Sequence, residues 1–150
     1  MTTVEKNLDD RVVRLWSDNP MALVGSTRGV YLPGYGIVFS AEINIATAPI
    51  SLMNPIPSEG EKVAHRKKKL ERLPQLKDAM KKALMDTAAS LDPVPATDQV
   101  VIALLLPRYT WEDATGMPLQ VTAQCTRQQL LSARANPASL DQIVKITESY

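Results

Sequence analysis

The chain of 150 residues contains one cysteine, one histidine and one phenylalanine. A lone cysteine, Cys125, rules out an internal disulfide and a cysteine-built zinc site, while a chain without disulfides fits either redox compartment. No nucleotide-binding glycine loop, metal-ligand cluster or catalytic-triad spacing is present, so the residues imply no cofactor and no metal. Neither sign of charge dominates: 17 basic side chains face 16 acidic ones. That near-balance removes any global electrostatic case for nucleic acid or acidic membranes. Long hydrophobic runs are also missing. The longest, Val100-Val101-Ile102-Ala103-Leu104-Leu105-Leu106, falls far short of the ~20 residues of a membrane helix. The amino-terminal segment lacks the basic start and apolar stretch of an export signal, although an exported domain stripped of its signal would read the same way. A soluble protein, cytoplasmic or exported, is the expectation.

An apolar content of 45% and a charged content of 22% are those of an ordinary globular protein. A chain of this length buries about two thirds of the surface exposed when unfolded, enough for one core and one domain spanning 1–150.

The strongest pattern is Tyr31-Leu32-Pro33-Gly34-Tyr35-Gly36 followed by a ribbon that alternates apolar and polar residues. Ile37, Phe39, Ala41, Ile43 and Ile45 fall on one side, Ser40, Glu42 and Asn44 on the other, as in a strand covered on one face. Pro33-Gly34 suits a tight turn, since proline presets φ and glycine tolerates positive φ. With strands at 21–25 and 30–32 this predicts a three-stranded meander. The turn and strand resemble a segment of an uncharacterised bacterial protein family, in which an aromatic-X-X-Gly-Tyr-Gly turn precedes Val-Phe-Ser-X-Glu-Ile or a close variant. The resemblance covers about fifteen residues and implies no activity or functional residue. Some relatives of that kind look exported.

Elsewhere Leu8, Val12, Leu15 and Trp16 predict an amphipathic helix over residues 5–17, ending at Asn19-Pro20. Ser58-Glu59-Gly60-Glu61 reads as a capping box. It opens a helix from residue 59 to 91 whose inward stripe is Val63, Leu70, Leu73, Leu76, Met80, Leu84, Ala88 and Leu91. Pro74 predicts a kink, or two helices broken near residues 72–74. Residues 100–106, apolar on both faces, predict a central strand. Leu119, Val121, Ala123 and Cys125 predict a final, half-polar one. Thr126 to Gln129 reads as a second capping box, opening a short helix through Leu130 and Leu131. The last helix carries Leu140, Ile143, Val144 and Ile146. The sum is an α+β domain of two layers, about five mostly antiparallel strands with a long kinked helix and terminal helices on one face.

Three functional classes follow. The first is a non-enzymatic binding domain that contacts a protein through the exposed aromatics Tyr31 and Tyr35 of the glycine turn, or through Arg108, Tyr109 and Trp111 of the 107–118 loop. The second is a small-ligand binder or enzyme centred on Glu42, with Asn44 and either Asp98 or Arg108 assisting, which requires that other elements cover the Glu42 face. The third binds acidic polymers through the basic helix 62–82. Its charges spread around the helix and no aromatic is interleaved, so a solvated face is the simpler expectation and nucleic acid is not favoured. His65, flanked by Arg66, Lys67, Lys68 and Lys69, is expected on that solvated face. Cys125 is expected to be an inert, buried thiol.

Overall fold

A computed structural model describes residues 2–15 and 22–150. In chain order the elements are α1 (Thr2–Arg14), β1 (Ala22–Leu23), β2 (Arg28–Leu32), β3 (Gly36–Asn44), α2 (Glu59–Ala88), β4 (Gln99–Leu105), β5 (Gln120–Thr126), α3 (Arg127–Ala133), α4 (Leu140–Ile143) and β6 (Lys145–Ser149). Among the described residues six strands form one sheet, ordered β1-β3-β4-β5-β6, with β2 also paired to β3. All pairs are antiparallel except β3 with β4, which are parallel and joined by α2. Helices pack on one face of the sheet, giving an α+β fold of two layers. No helix among the described residues is long and apolar enough to cross a membrane.

The alternation of β3 sets the layers. Ile37, Phe39, Ala41 and Ile43 are buried, and the register lays Ile37, Phe39 and Ala41 beside Val100, Ile102 and Leu104 of β4, which in turn face Cys125, Ala123 and Val121 of β5. Against this surface α2 places Leu73, Leu76, Met80, Leu84 and Ala88 at helical spacing, and α1 adds Val4 and Leu8. The opposite face of the sheet is largely open, with Glu42, Val30, Leu32 and Leu105 exposed, although Val101 and Asn44 on that face are buried.

Several elements depart from expectation. Strands β1 and β2 do not form a meander. Both pair with β3, β2 along residues 36–40 and β1 at residues 43–44, because a strand of nine residues has room for two short neighbours on one edge. The amides of Thr27 and Gly29 donate to Asp9 and Glu5 of α1, both at 2.8 Å, so that helix serves part of the free edge. The expected helix end at Trp16 to Pro20, and Met21 of the first strand, lie outside the described residues. Helix α2 is one helix and not two. Pro74 sits on its exposed side, where water can serve the carbonyl that loses its amide partner. Leu119 is 46% exposed and precedes the strand it was expected to join. The carboxyl terminus holds a further strand. Val144 is already extended (φ −84°, ψ 118°), α4 stops at Ile143, and Lys-Ile-Thr-Glu-Ser alternates along the edge of β5 that β4 leaves unpaired.

Ser58 caps α2 as its sequence implies. Its hydroxyl accepts from the Glu61 amide at 3.3 Å while the Glu61 carboxylate accepts from the Ser58 amide at 2.7 Å. Ser58→Ala is expected to cost about 1 kcal/mol, and Ser58→Gly only a few tenths, read from the midpoint of urea unfolding.

Candidate functional site at the carboxyl ends of the parallel strands

The two parallel strands end side by side, at Asn44 and Leu105, a position where open sheets with helical crossovers form crevices. The loop 107–118 closes over this end. Its base is pinned by the Leu106 amide donating to the Leu119 carbonyl at 2.7 Å, and Met117 and Pro118 are buried beneath it. The Arg108 guanidinium donates to the Met117 carbonyl within the same loop.

Helix α2 grips the loop with His65, Arg66 and Lys69. His65 Nε2 lies 2.7 Å from Glu112 Oε1. Lys69, one turn on, donates to both oxygens of Glu112 at 2.8 and 2.9 Å, and Arg66 donates to the Thr115 carbonyl at 2.7 Å. The side chains of His65, Lys69 and Glu112 are only 3%, 5% and 8% exposed. Burial pushes the Glu112 carboxyl up, but hydrogen bonds from His65 and Lys69 and the charge of Lys69 outweigh it and hold it below its ordinary value. Deeper along the same stripe, Arg72 donates to the Ile45 carbonyl at 2.7 Å.

These placements correct the expectation of a solvated face at His65, Lys69 and Arg72: all three are buried. They also correct the inward stripe at Val63 and Leu70, which are 68% and 37% exposed. The physical reason is that the amino-terminal half of α2 does not meet the apolar sheet. It meets Glu112 and the backbone carbonyls of Ile45, Pro107 and Thr115, so its inward side chains are donors. Continuing the spacing of Leu73, Leu76 and Met80 backwards by four lands on Lys69 and His65, which was the available signal.

An aromatic cluster sits on the tether. Tyr109 and Trp111 stack with ring centroids 5.2 Å apart and planes 5° apart, and Trp111 also meets His65 at 5.2 Å. Asn44 donates to the Tyr109 hydroxyl at 2.9 Å and is buried there, although its strand neighbour Glu42 is exposed. Asn44, Arg108, Tyr109 and Trp111 are thus gathered at one end of β3. Tyr31 and Tyr35 lie at the other end, roughly 26 Å away along the strand. Both are exposed, and Tyr31 donates to Asp98 at 2.9 Å, a bond that raises the phenol above its ordinary value. Cys125 is buried, and burial raises its thiol, so it behaves as a small apolar residue.

Beside the tether runs a groove of about 590 Å³ whose apolar lining is Val63, Leu70 and Trp111. Its charged rim is internally matched: Lys62 with Glu59 at 2.6 Å, Arg66 with Asp113 at 3.4 Å, and Lys67 with Glu71 at 3.9 Å. No group of three metal-ligating side chains occurs among the described residues. Comparison with protein-family models, with curated proteins and with solved structures returned no match.

Proposed function

We propose that the protein is a non-enzymatic binding domain, and that the groove between the amino-terminal half of α2 and the 107–118 loop receives an apolar segment of a protein partner. The observation that carries this reading is the exposure of Val63 and Leu70, seven residues apart on one helix, beside Trp111. Side chains at that spacing form a stripe of the kind that receives apolar anchors from a partner chain. Two features make the stripe suitable for recognition. The buried tether fixes the loop wall before any partner arrives, which lowers the ordering cost of binding. The paired rim leaves little charge for an anion to neutralise, which favours a protein segment over an acidic polymer. An enzyme built on Glu42 finds less support, because that carboxylate faces solvent on the open side of the sheet.

The test places a photo-crosslinking amino acid at Val63, Leu70 or, as a control, Thr122 on the open sheet face, with irradiation inside the cells that make the protein. Discrete adducts are expected from positions 63 and 70. Their absence at both positions overturns the reading, as does an equal pattern from Thr122.

A further inference from the structure

Between β3 and α2 the chain runs through residues 47–57, a segment with three prolines and no charged residue. Ser51 and Asn54 exchange backbone hydrogen bonds in both directions at 3.1 Å, which leaves Leu52 and Met53 alone at the tip of a tight turn. Leu52 is 103% exposed and Met53 95%, with Ile56 at 71% and Ile50 at 45% alongside. Scattered apolar residues on a surface are ordinary, but four large ones on one short projection mark a contact surface. Pro49, Pro55 and Pro57 restrict the backbone on either side, so the projection is stiff before it meets anything.

We infer that the occupant of the groove is a second copy of this chain, whose Leu52–Met53 tip enters it while the first copy's tip enters the second copy's groove. This inference rests on the binding role proposed for the groove and names its partner. The two surfaces match in charge: the projection has none, and the acids and bases of the groove rim already neutralise one another. They match in character, since leucine and unbranched methionine adapt to an apolar recess lined by Val63, Leu70 and Trp111. They also share one end of the domain. Pro57 precedes the first groove residue, Glu59, by two positions, so a single two-fold axis can satisfy both contacts at once and close the assembly as a dimer. A lipid surface would accept the same tip, but the helix beside the segment presents Glu59 and Glu61 together with Lys62 and Lys68, a mixed charge that gives no net attraction to an anionic bilayer.

The experiment is sedimentation equilibrium of the full chain across a concentration series. The native protein is expected to dimerise reversibly. The doubly substituted tip, Leu52→Asp with Met53→Asp, and the groove variant Val63→Asp are each expected to be monomeric. Both sites are exposed, and melting midpoints equal to the native one at concentrations low enough for the native protein to be monomeric will show that the loss is not one of folding. Mixing the two variants is the decisive arm. One intact tip then faces one intact groove, and a heterodimer weaker than the native dimer is expected. A native protein that stays monomeric, a dimer that survives both variants, or a mixture that fails to associate overturns the inference. So does a monomer that binds phosphatidylcholine–phosphatidylserine vesicles through Leu52, which would assign the tip to a membrane. If the native protein is monomeric yet positions 63 and 70 crosslink to another protein, the self-association fails and the binding role stands. If neither position crosslinks, both fail.

Discussion

Replacing Gly36 by alanine is expected to destabilise the fold by about 2–6 kcal/mol, the sum of a strained backbone and an overpacked contact, each about 1–3 kcal/mol. Gly36 opens β3 at φ 144°, a conformation alanine adopts poorly. The steric problem is larger still. A Cβ at this position would lie 2.0 Å from the Gln99 carbonyl oxygen and 2.6 Å from its amide nitrogen. Those are backbone atoms at the first register pair of β3 with β4, and they cannot swing aside as a side chain can. The same corner holds the Gln99 amide donating to the Tyr35 carbonyl at 2.9 Å, so relief by separation would open the parallel pairing of β3 with β4. Gly34 supplies the control. Its φ is 80° but a Cβ there meets nothing within 4 Å, so Gly34→Ala carries backbone strain alone, about 1 kcal/mol. Urea unfolding of the two variants separates the explanations. Equal shifts in midpoint would show that the close approach to Gln99 does not matter and that only the sign of φ does.

The contrast between these glycines also marks what local sequence can convey. A turn needing positive φ is legible from Pro33-Gly34-Tyr35-Gly36, whereas the approach of Gln99, which is 63 positions away in the chain, is not. The same division runs through the molecule. The buried side of β3, the core stripe of α2 from Leu73 to Ala88 and the Ser58 cap rest on neighbours within a few residues, and each follows from spacing alone. Strand β6 has five residues and alternates only briefly, and its pairing with β5 is decided by an edge formed earlier in the chain. At the candidate site the loop aromatics stood out because they interrupt a polar segment. Their anchors did not, because a histidine and a lysine in a basic run look solvated until Glu112, 47 positions after His65, is brought against them. Helical phase placed these donors on the inward side, and residue type argued against it. Phase prevailed because the inward surroundings at that height are carboxylate and carbonyl oxygen instead of hydrocarbon.

That inversion makes Glu112 the residue on which the groove depends. Glu112→Gln keeps the size and planarity of the side chain but removes its charge, leaving Lys69, whose side chain is 5% exposed, without a counterion. Removing one partner of a buried ion pair costs about 3–5 kcal/mol, far more than the pair contributes net, because the surviving charge stays desolvated. The loss should appear in urea unfolding near neutral pH. Asp113→Asn, one residue on, is the contrast: its carboxylate is 59% exposed and pairs with Arg66 at 3.4 Å, and solvent screening makes its effect small beside that of Glu112→Gln. The pH dependence gives a second, independent reading. The folded-state value of Glu112 lies below its ordinary 4.5. Its contribution is therefore complete above pH 4.5 and declines as the pH falls through the lower folded-state value. The native protein should lose this stability in acid while Glu112→Gln has none of it to lose, so the two unfolding midpoints should approach one another as the pH drops below that range. A constant gap between them at every pH would assign the defect to packing and remove the electrostatic tether. Where the tether holds, releasing it also frees the wall that carries Trp111, so the same variant should show a red-shifted tryptophan emission and weakened occupancy of the groove under conditions in which the chain is still folded.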